Sequence, residues 1–125
     1  MTGLAQLLVR RGERVSGSAG PGVVRLRRLG VQVGGGRAPG LLPRDAGLLV
    51  YSPEVPREDP ERLRAARLGM PQVSAAQVLD GLMRPGPGVA VVGARGASQA
   101  AAMIGWTLVL AGFDPTTVLG ASAPQ

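Results

Sequence analysis

Apolar residues in this chain come in short pulses, separated by glycine, proline and arginine. Leu4, Leu7 and Leu8 recur at helical spacing behind Thr2, a capping type of residue, and Gly12 is placed to end that helix. A short strand is expected over Arg14–Ser18. A helix follows over Val23–Leu29, with Arg25, Arg27 and Arg28 on its outer side and Gly30 closing it, then a brief strand over Val31–Val33. Gly34–Ala46 is a glycine- and proline-rich loop, and Leu48–Ser52 (LLVYS) reads as a buried strand. The next helix is the best signalled. Asp59 is its N-cap and Pro60 its first residue, Glu61 lies in the first turn, and Arg62, Arg64 and Arg67 lie toward the end. Gly69 and Pro71 stop it. A strand over Gln72–Ser74 and a helix over Ala75–Met83 complete this part. Residues 85–88 read as a linker, after which Val89–Val92 is expected as a strand covered on both faces. A glycine turn then leads into a long apolar helix to about Ala111.

Alternation of strands and helices at this spacing predicts an α/β fold: a Rossmann-like parallel sheet flanked by helices. Such a fold normally opens with a strand, whereas this chain opens with a helix, so the first strand is expected to be missing. Two domains are expected, residues 1–84 and 89–125, joined by 85–88.

Composition removes most catalytic chemistry. There is no Cys and no His, which excludes disulfides, thiol nucleophiles, imidazole bases and most zinc sites. All 14 basic residues are arginine, so there is no lysine for Schiff-base chemistry or for a phosphate loop. One Phe, one Trp and one Tyr leave the core to Leu, Val and Ala. The net charge of +6 favours anions, but the arginines come without aromatic neighbours on which bases could stack, so nucleic acid is not the expected partner. The arginines of both basic helices are read as solvated faces. No apolar run is long enough to span a membrane, and the N-terminus lacks the form of a signal peptide, so the expected location is cytoplasmic. The longest apolar stretch, Ala100–Ala111, reads as buried core, with partner contact as the alternative.

Residues 88–103, GVAVVGARGASQAAAM, carry the most specific signal. Strand, glycine turn and helix start together make a phosphate loop. Gly93 and Gly96 permit the turn, Ser98 is placed to cap the helix, and free N–H groups at a helix start attract phosphate. A working loop places a lysine before the hydroxyl residue. Ala97 stands at that position, and Arg95 is the nearest cation. Ser16, Gly17, Ser18 and Ser52 fall at strand ends, where nucleotides bind in open α/β sheets, although ordinary turns also account for them. Glu58, Asp59 and Glu61 are explained by helix capping.

The order of these segments resembles the Mur ligase family, in its alanine-adding branch. MTGLAQLL at 1–8 matches that family's GMSGIAEVL helix, and Val15–Ser18 its VSGSD strand end. Val50–Ser52, Val55-Pro56 and Pro60-Glu61 match its VVYSSAIP…NPE segment, and residues 65–71 its ARERGIP stretch. Val89–Ala102 sits where the family carries its ATP loop, GTHGKTTTT. Residues 112–116 and 118–120 match GLDPTxxIGG. The resemblance covers nearly the whole chain.

It implies ATP- and magnesium-dependent ligation in peptidoglycan synthesis, with UDP-N-acetylmuramate held by the N-terminal domain and the carboxyl activated as an acyl phosphate. The departures are specific. The family's first strand and its glycine loop have no counterpart, and Met1 matches an internal methionine, which points to a shifted start or a deletion. Ala19 replaces the Asp of VSGSD, and Arg37, after Gly36, replaces the His of a Gly-His pair. Ala75-Ala76-Gln77 replaces Arg-Ala-Glu. In the ATP loop Arg95 stands for His, Ala97 for Lys, Ser98 for the first Thr and Gln99 for the second. The implied site remnants are therefore Gly93, Arg95, Gly96, Ala97 and Ser98 on the ATP side, and Ser16, Gly17, Ser18, Arg37 and Ser52 on the UDP-sugar side, with no catalytic residue and no metal ligand. Three readings remain open: an inactive fragment or relic of the ligase, a non-catalytic module binding a UDP-sugar or pairing with itself or an intact ligase, and a basic anion-binding domain. The absent central strand is expected to leave its two neighbours unpaired, and the 89–92 strand is the candidate to fill that place.

Overall fold

A computed structural model describes residues 1–19, 24–28, 30–35 and 42–120. The chain divides into two compact units, Met1–Leu82 and Met83–Gln125. The elements are α1 (Thr2–Arg10), β1 (Ser16–Ala19), α2 (Val24–Arg28), β2 (Gln32–Gly35), β3 (Leu49–Tyr51), α3 (Pro60–Arg67), β4 (Gln72–Ser74), α4 (Ala75–Met83) and α5 (Ala97–Leu110). This is an α/β fold with parallel strands, as the alternation predicts.

The first unit contains two strand–helix–strand units in sequence. β1 pairs in parallel with β2, Ser16 opposite Gln32 and Ala19 opposite Gly35. β3 pairs in parallel with β4, Leu49 opposite Gln72 and Tyr51 opposite Ser74. The single sheet expected from the sequence is therefore two two-stranded sheets. A doubly wound sheet of order 3-2-1-4-5 that lacked its strand 1 would leave such pairs. Among the described residues no strand joins them, so β1 and β3 each have one strand neighbour.

Residues 89–92 correct the expectation made for them: they form no strand, and β1 pairs with β2 alone among the described residues. A strand exists by its hydrogen bonds to a neighbour, and Val89–Val92 has none in a sheet.

Helix ends follow local chemistry closely. Asp59 is the N-cap of α3; its carboxylate accepts from the Glu61 backbone N–H at 3.0 Å, and Pro60 is the first helical residue. At the other end the Met70 N–H reaches back to the Ala65 carbonyl at 2.9 Å and the Gly69 N–H to Ala66 at 3.1 Å, with Gly69 at φ +64°. This is a Schellman ending. The same pair of bonds ends α1 at Gly12, α2 at Gly30 and α5 at Gly112. Ser74 and Gln77 form a reciprocal capping box at the start of α4: the Ser74 N–H donates to Gln77 Oε1 at 2.8 Å, and the Gln77 N–H to Ser74 Oγ at 3.3 Å.

Two expected caps are absent. α1 begins at Thr2 itself, so Met1 is the N-cap and makes no side-chain bond. Likewise α5 begins at Ala97 behind Gly96, at φ +72°, and Ser98 lies one residue inside the helix. In both cases the hydroxyl is placed too late to meet the free N–H groups.

The core is small and aliphatic. Leu42, Ala65 and Met70 form a buried cluster with Ala46 and Leu49 against it. Ala65 is fully buried, which allows α3 to lie close beneath the chain entering β3. Leu4, Leu26 and Val31 are buried in the other half, where α1 meets α2 and α2 covers β2. Arg62 also departs from expectation. It is half-buried rather than solvated: its Nε donates to Gln72 Oε1 at 3.1 Å, its Nη1 to the Val55 carbonyl at 3.0 Å, and its guanidinium lies 3.8 Å from the centre of the Tyr51 ring. It ties α3 to both strands of its sheet.

Removal of the Asp59 cap by Asp59→Ala is expected to lower stability by about 1 kcal/mol. Thr2→Ala, which removes no cap bond, is expected to change it by less than about 0.5 kcal/mol. Urea unfolding midpoints of the two variants check the contrast.

Candidate functional site

The strand ends are the place where an open α/β sheet binds nucleotide. Ser16 opens β1 rather than ending it, Gly17 lies within it, and Ser18 is one residue from its carboxyl end. Ser52 follows β3 directly. Arg37 lies outside the described residues. The loop after β3 leads to α3, so the start of α3 stands at the carboxyl end of its own sheet. Ser18 Oγ donates to Glu61 Oε2 at 2.9 Å across 43 residues. That bond brings the carboxyl end of β1 beside the start of α3. Ser18 lies near the carboxyl end of β1 and Ser52 directly after β3, each beside a carboxylate.

The chemistry of that edge differs from a phosphate site. Ser52 Oγ donates to Glu54 Oε2 at 2.9 Å, so both hydroxyl protons are directed at carboxylates. Glu61 Oε1 is buried without a hydrogen-bond partner. A buried oxygen left unpaired costs about 1–3 kcal/mol. Two carboxylates beside the serines disfavour a diphosphate on electrostatic grounds. Glu61 was read from sequence as helix capping alone. Its bond to Ser18 is a long-range contact that no local pattern announces.

The second unit holds the loop remnant. Gly93, Ala94, Arg95 and Gly96 form an exposed turn ahead of α5. Gly96 requires glycine because of its positive φ. Gly93 does not: a Cβ there would meet the Arg95 carbonyl at 3.6 Å and the Ala97 Cβ at 3.7 Å, ordinary contact distances. Arg95 is exposed, whereas Ala97 and Ser98 are half-buried. The residues do not fit ATP with magnesium. Ser98 keeps a hydroxyl, but Ala97 offers a methyl where a phosphate loop has its lysine. No strand presents the turn, and among the described residues no three acidic or other ligating side chains gather to hold a metal.

Comparison with known proteins assigns the chain. The profile of the Mur ligase family, catalytic domain, matches residues 1–86. The chain belongs to the Mur ligase family. UDP-N-acetylmuramate–L-alanine ligase of Sulfurihydrogenibium sp. (strain YO3AOP1) is 37% identical over 123 residues, 96% of this chain and 27% of that protein. The ligases of the same name from Persephonella marina and Carboxydothermus hydrogenoformans are 36% and 37% identical over 123 residues, with 27% and 26% of their lengths covered. The chain therefore spans about a quarter of the length of these curated Mur ligases. No helix among the described residues is long and apolar enough to cross a membrane.

One ion pair flanks the opposite end of the strands. Arg14, just before β1, holds Asp45, ahead of β3, at 2.7 Å between Nη2 and Oδ2. The hydrogen bond from Arg14 keeps the Asp45 carboxyl below the usual aspartate range. A depressed folded-state value stabilises above the unfolded value and loses that effect as pH falls through the folded one. The tie therefore holds at neutral pH and is lost in acid. Because both side chains are exposed, salt also weakens it. Carboxyl NMR titration is expected to show Asp45 protonating at lower pH than an ordinary aspartate, and Arg14→Ala is expected to move it up toward the ordinary range.

Proposed function

We propose that this chain is a catalytically inactive Mur ligase homologue: a cytoplasmic relic of the alanine-adding ligase that performs no ATP-dependent ligation alone. Ala97 at the lysine position carries this reading. A charge-assisted hydrogen bond to phosphate is worth about 1.5–3 kcal/mol. Loss of preorganised charge at a reacting centre costs on the order of 100-fold or more in rate. The turn at 93–96, which follows no strand, supports the same conclusion.

A second reading is that the first unit is a non-catalytic module for a UDP-sugar. It is favoured by Ser18 near the carboxyl end of β1 and Ser52 directly after β3. The carboxylates of Glu54 and Glu61 oppose it, because each occupies the hydroxyl proton that a phosphate would accept.

With UDP-N-acetylmuramate, L-alanine, ATP and magnesium, the chain is expected to release no ADP above background. ADP release that depends on L-alanine overturns the proposal. Titration calorimetry with UDP-N-acetylmuramate separates the two readings: heat that disappears in Ser18→Ala establishes the binding module, and absence of heat leaves the relic.

A further inference from the structure

Ala100–Ala111 reads from sequence as core, yet in α5 only Gly105 is buried. A concavity walled by the chain on both sides lies instead in the first unit. It is a groove of about 320 Å³ between α3 and the segment entering β3, lined by Arg44, Pro60, Leu63, Arg64, Arg67 and Leu68. Its position follows from the core. Leu42 is buried against Ala65 and Met70, so the chain two residues later lies along α3. Pro60, Leu63, Arg64 and Arg67 recur at three- and four-residue spacing and share one helix face. Arg44 precedes β3 and Leu68 precedes β4, which sets that end of the groove at the amino ends of the strands, away from Ser18 and Ser52. Both walls are described residues of one unit, so the groove's shape depends on neither end of the chain.

The lining holds three cations and no acid. Among the described residues none of these arginines pairs with a carboxylate. The acids adjacent to lining residues in sequence are committed elsewhere: Asp45 holds Arg14, Asp59 caps α3, and Glu61 accepts from Ser18. Arg64 is half-buried, and its Nε is buried with no hydrogen-bond partner. A guanidinium withdrawn from water without a countercharge is costly, and an anion offsets that cost. The helix dipole accounts for arginines late in α3. It accounts neither for Arg44 on the facing segment nor for the unpaired Nε.

We propose that this groove binds a small phosphate monoester carried on an apolar body, with the phosphate among Arg44, Arg64 and Arg67 and the body on Leu63 and Leu68. Three guanidinium groups suit the charge of about −1.5 to −2 and the three acceptor oxygens of such a group better than a singly charged carboxylate. Leu63 and Leu68 are 44% and 39% exposed, and so offer apolar surface beside the cations. The volume stands at the low end of small-molecule sites, roughly 300–1,000 Å³, which fits one ring and one phosphate group. The site is independent of both readings of the strand edge.

Phenyl phosphate is the probe, titrated into the full chain at low salt and followed by amide NMR. Saturable shifts are expected at Leu63, Arg64, Arg67 and Leu68, weakening as salt is raised. Inorganic phosphate is expected to bind more weakly, because it lacks the ring. Arg44→Gln and Arg67→Gln, both at exposed positions, are each expected to weaken binding about 10-fold with the amide spectrum otherwise kept. Arg28→Gln on α2 removes the same charge from a distant helix and is expected to leave the affinity unchanged. Absence of shifts in the millimolar range overturns the proposal, as does equal weakening by all three variants, which is the result for net charge alone. Inorganic phosphate binding as tightly as the ester also overturns it. Cosedimentation with phosphatidylglycerol vesicles that is lost in Arg44→Gln, in a chain giving no phenyl phosphate shifts, overturns it in favour of a lipid surface.

Discussion

Parallel strands need neighbours, and among the described residues of the first unit each strand has one. β1–β2 and β3–β4 are each a single ladder, and the ties seen between the two pairs run through side chains. Ser18 to Glu61 links them at the carboxyl edge, and Arg14 to Asp45 at the other. These are weaker devices than a shared strand. A central strand would satisfy backbone groups along both flanking edges, whereas the Arg14–Asp45 pair lies in water and the Glu61 carboxylate keeps one buried oxygen unpaired. The β3–α3–β4 half has its own local ties. There the fully buried Ala65 lets helix and entering chain approach, Asp59 caps, and Arg62 reaches both strands.

What the sequence revealed follows from the range of the interaction concerned. Gly12, Gly30 and Gly69 end helices as their positions foretold, because a left-handed residue after a helix is a local requirement. Asp59 with Pro60 is equally local. The Ser74–Gln77 capping box is also local, with a three-residue spacing visible in the sequence. Arg62 is different: its partners at Tyr51, Val55 and Gln72 come from separate elements, so its charge alone suggested solvent. Val89–Val92 had strand composition without a strand neighbour, and composition does not supply hydrogen bonds. α5 failed the same way, since all-round hydrophobicity says that a helix wants cover, not that its own chain provides it.

The candidate site shows the same division. The sequence placed Ser18 and Ser52 at strand ends, and in the structure Ser18 lies one residue from the end of β1 and Ser52 directly after β3. It could not show that their hydroxyl protons are already held by Glu54 and Glu61. That occupation changes the character of the edge. Hydroxyls facing solvent are donors ready for phosphate oxygen, whereas hydroxyls committed to carboxylates present negative charge to an incoming anion. The carboxylates therefore make this edge less ready for a nucleotide than the Mur ligase likeness implies.

The loop at 93–98 makes the point at a single residue. A phosphate loop works by fixing several donors before the ligand arrives: a strand end sets the start of the turn, glycine lets the backbone close, helix N–H groups face inward, and a lysine meets the outer phosphates. In this chain the helix start and the left-handed Gly96 remain. The strand ladder and the lysine do not. Those two losses compound, because a charge restored at residue 97 would sit on a turn that no sheet holds in register. The order that remains in the second unit belongs instead to α5 and the tail packed on Gly105, a scaffold whose exposed face is apolar rather than cationic.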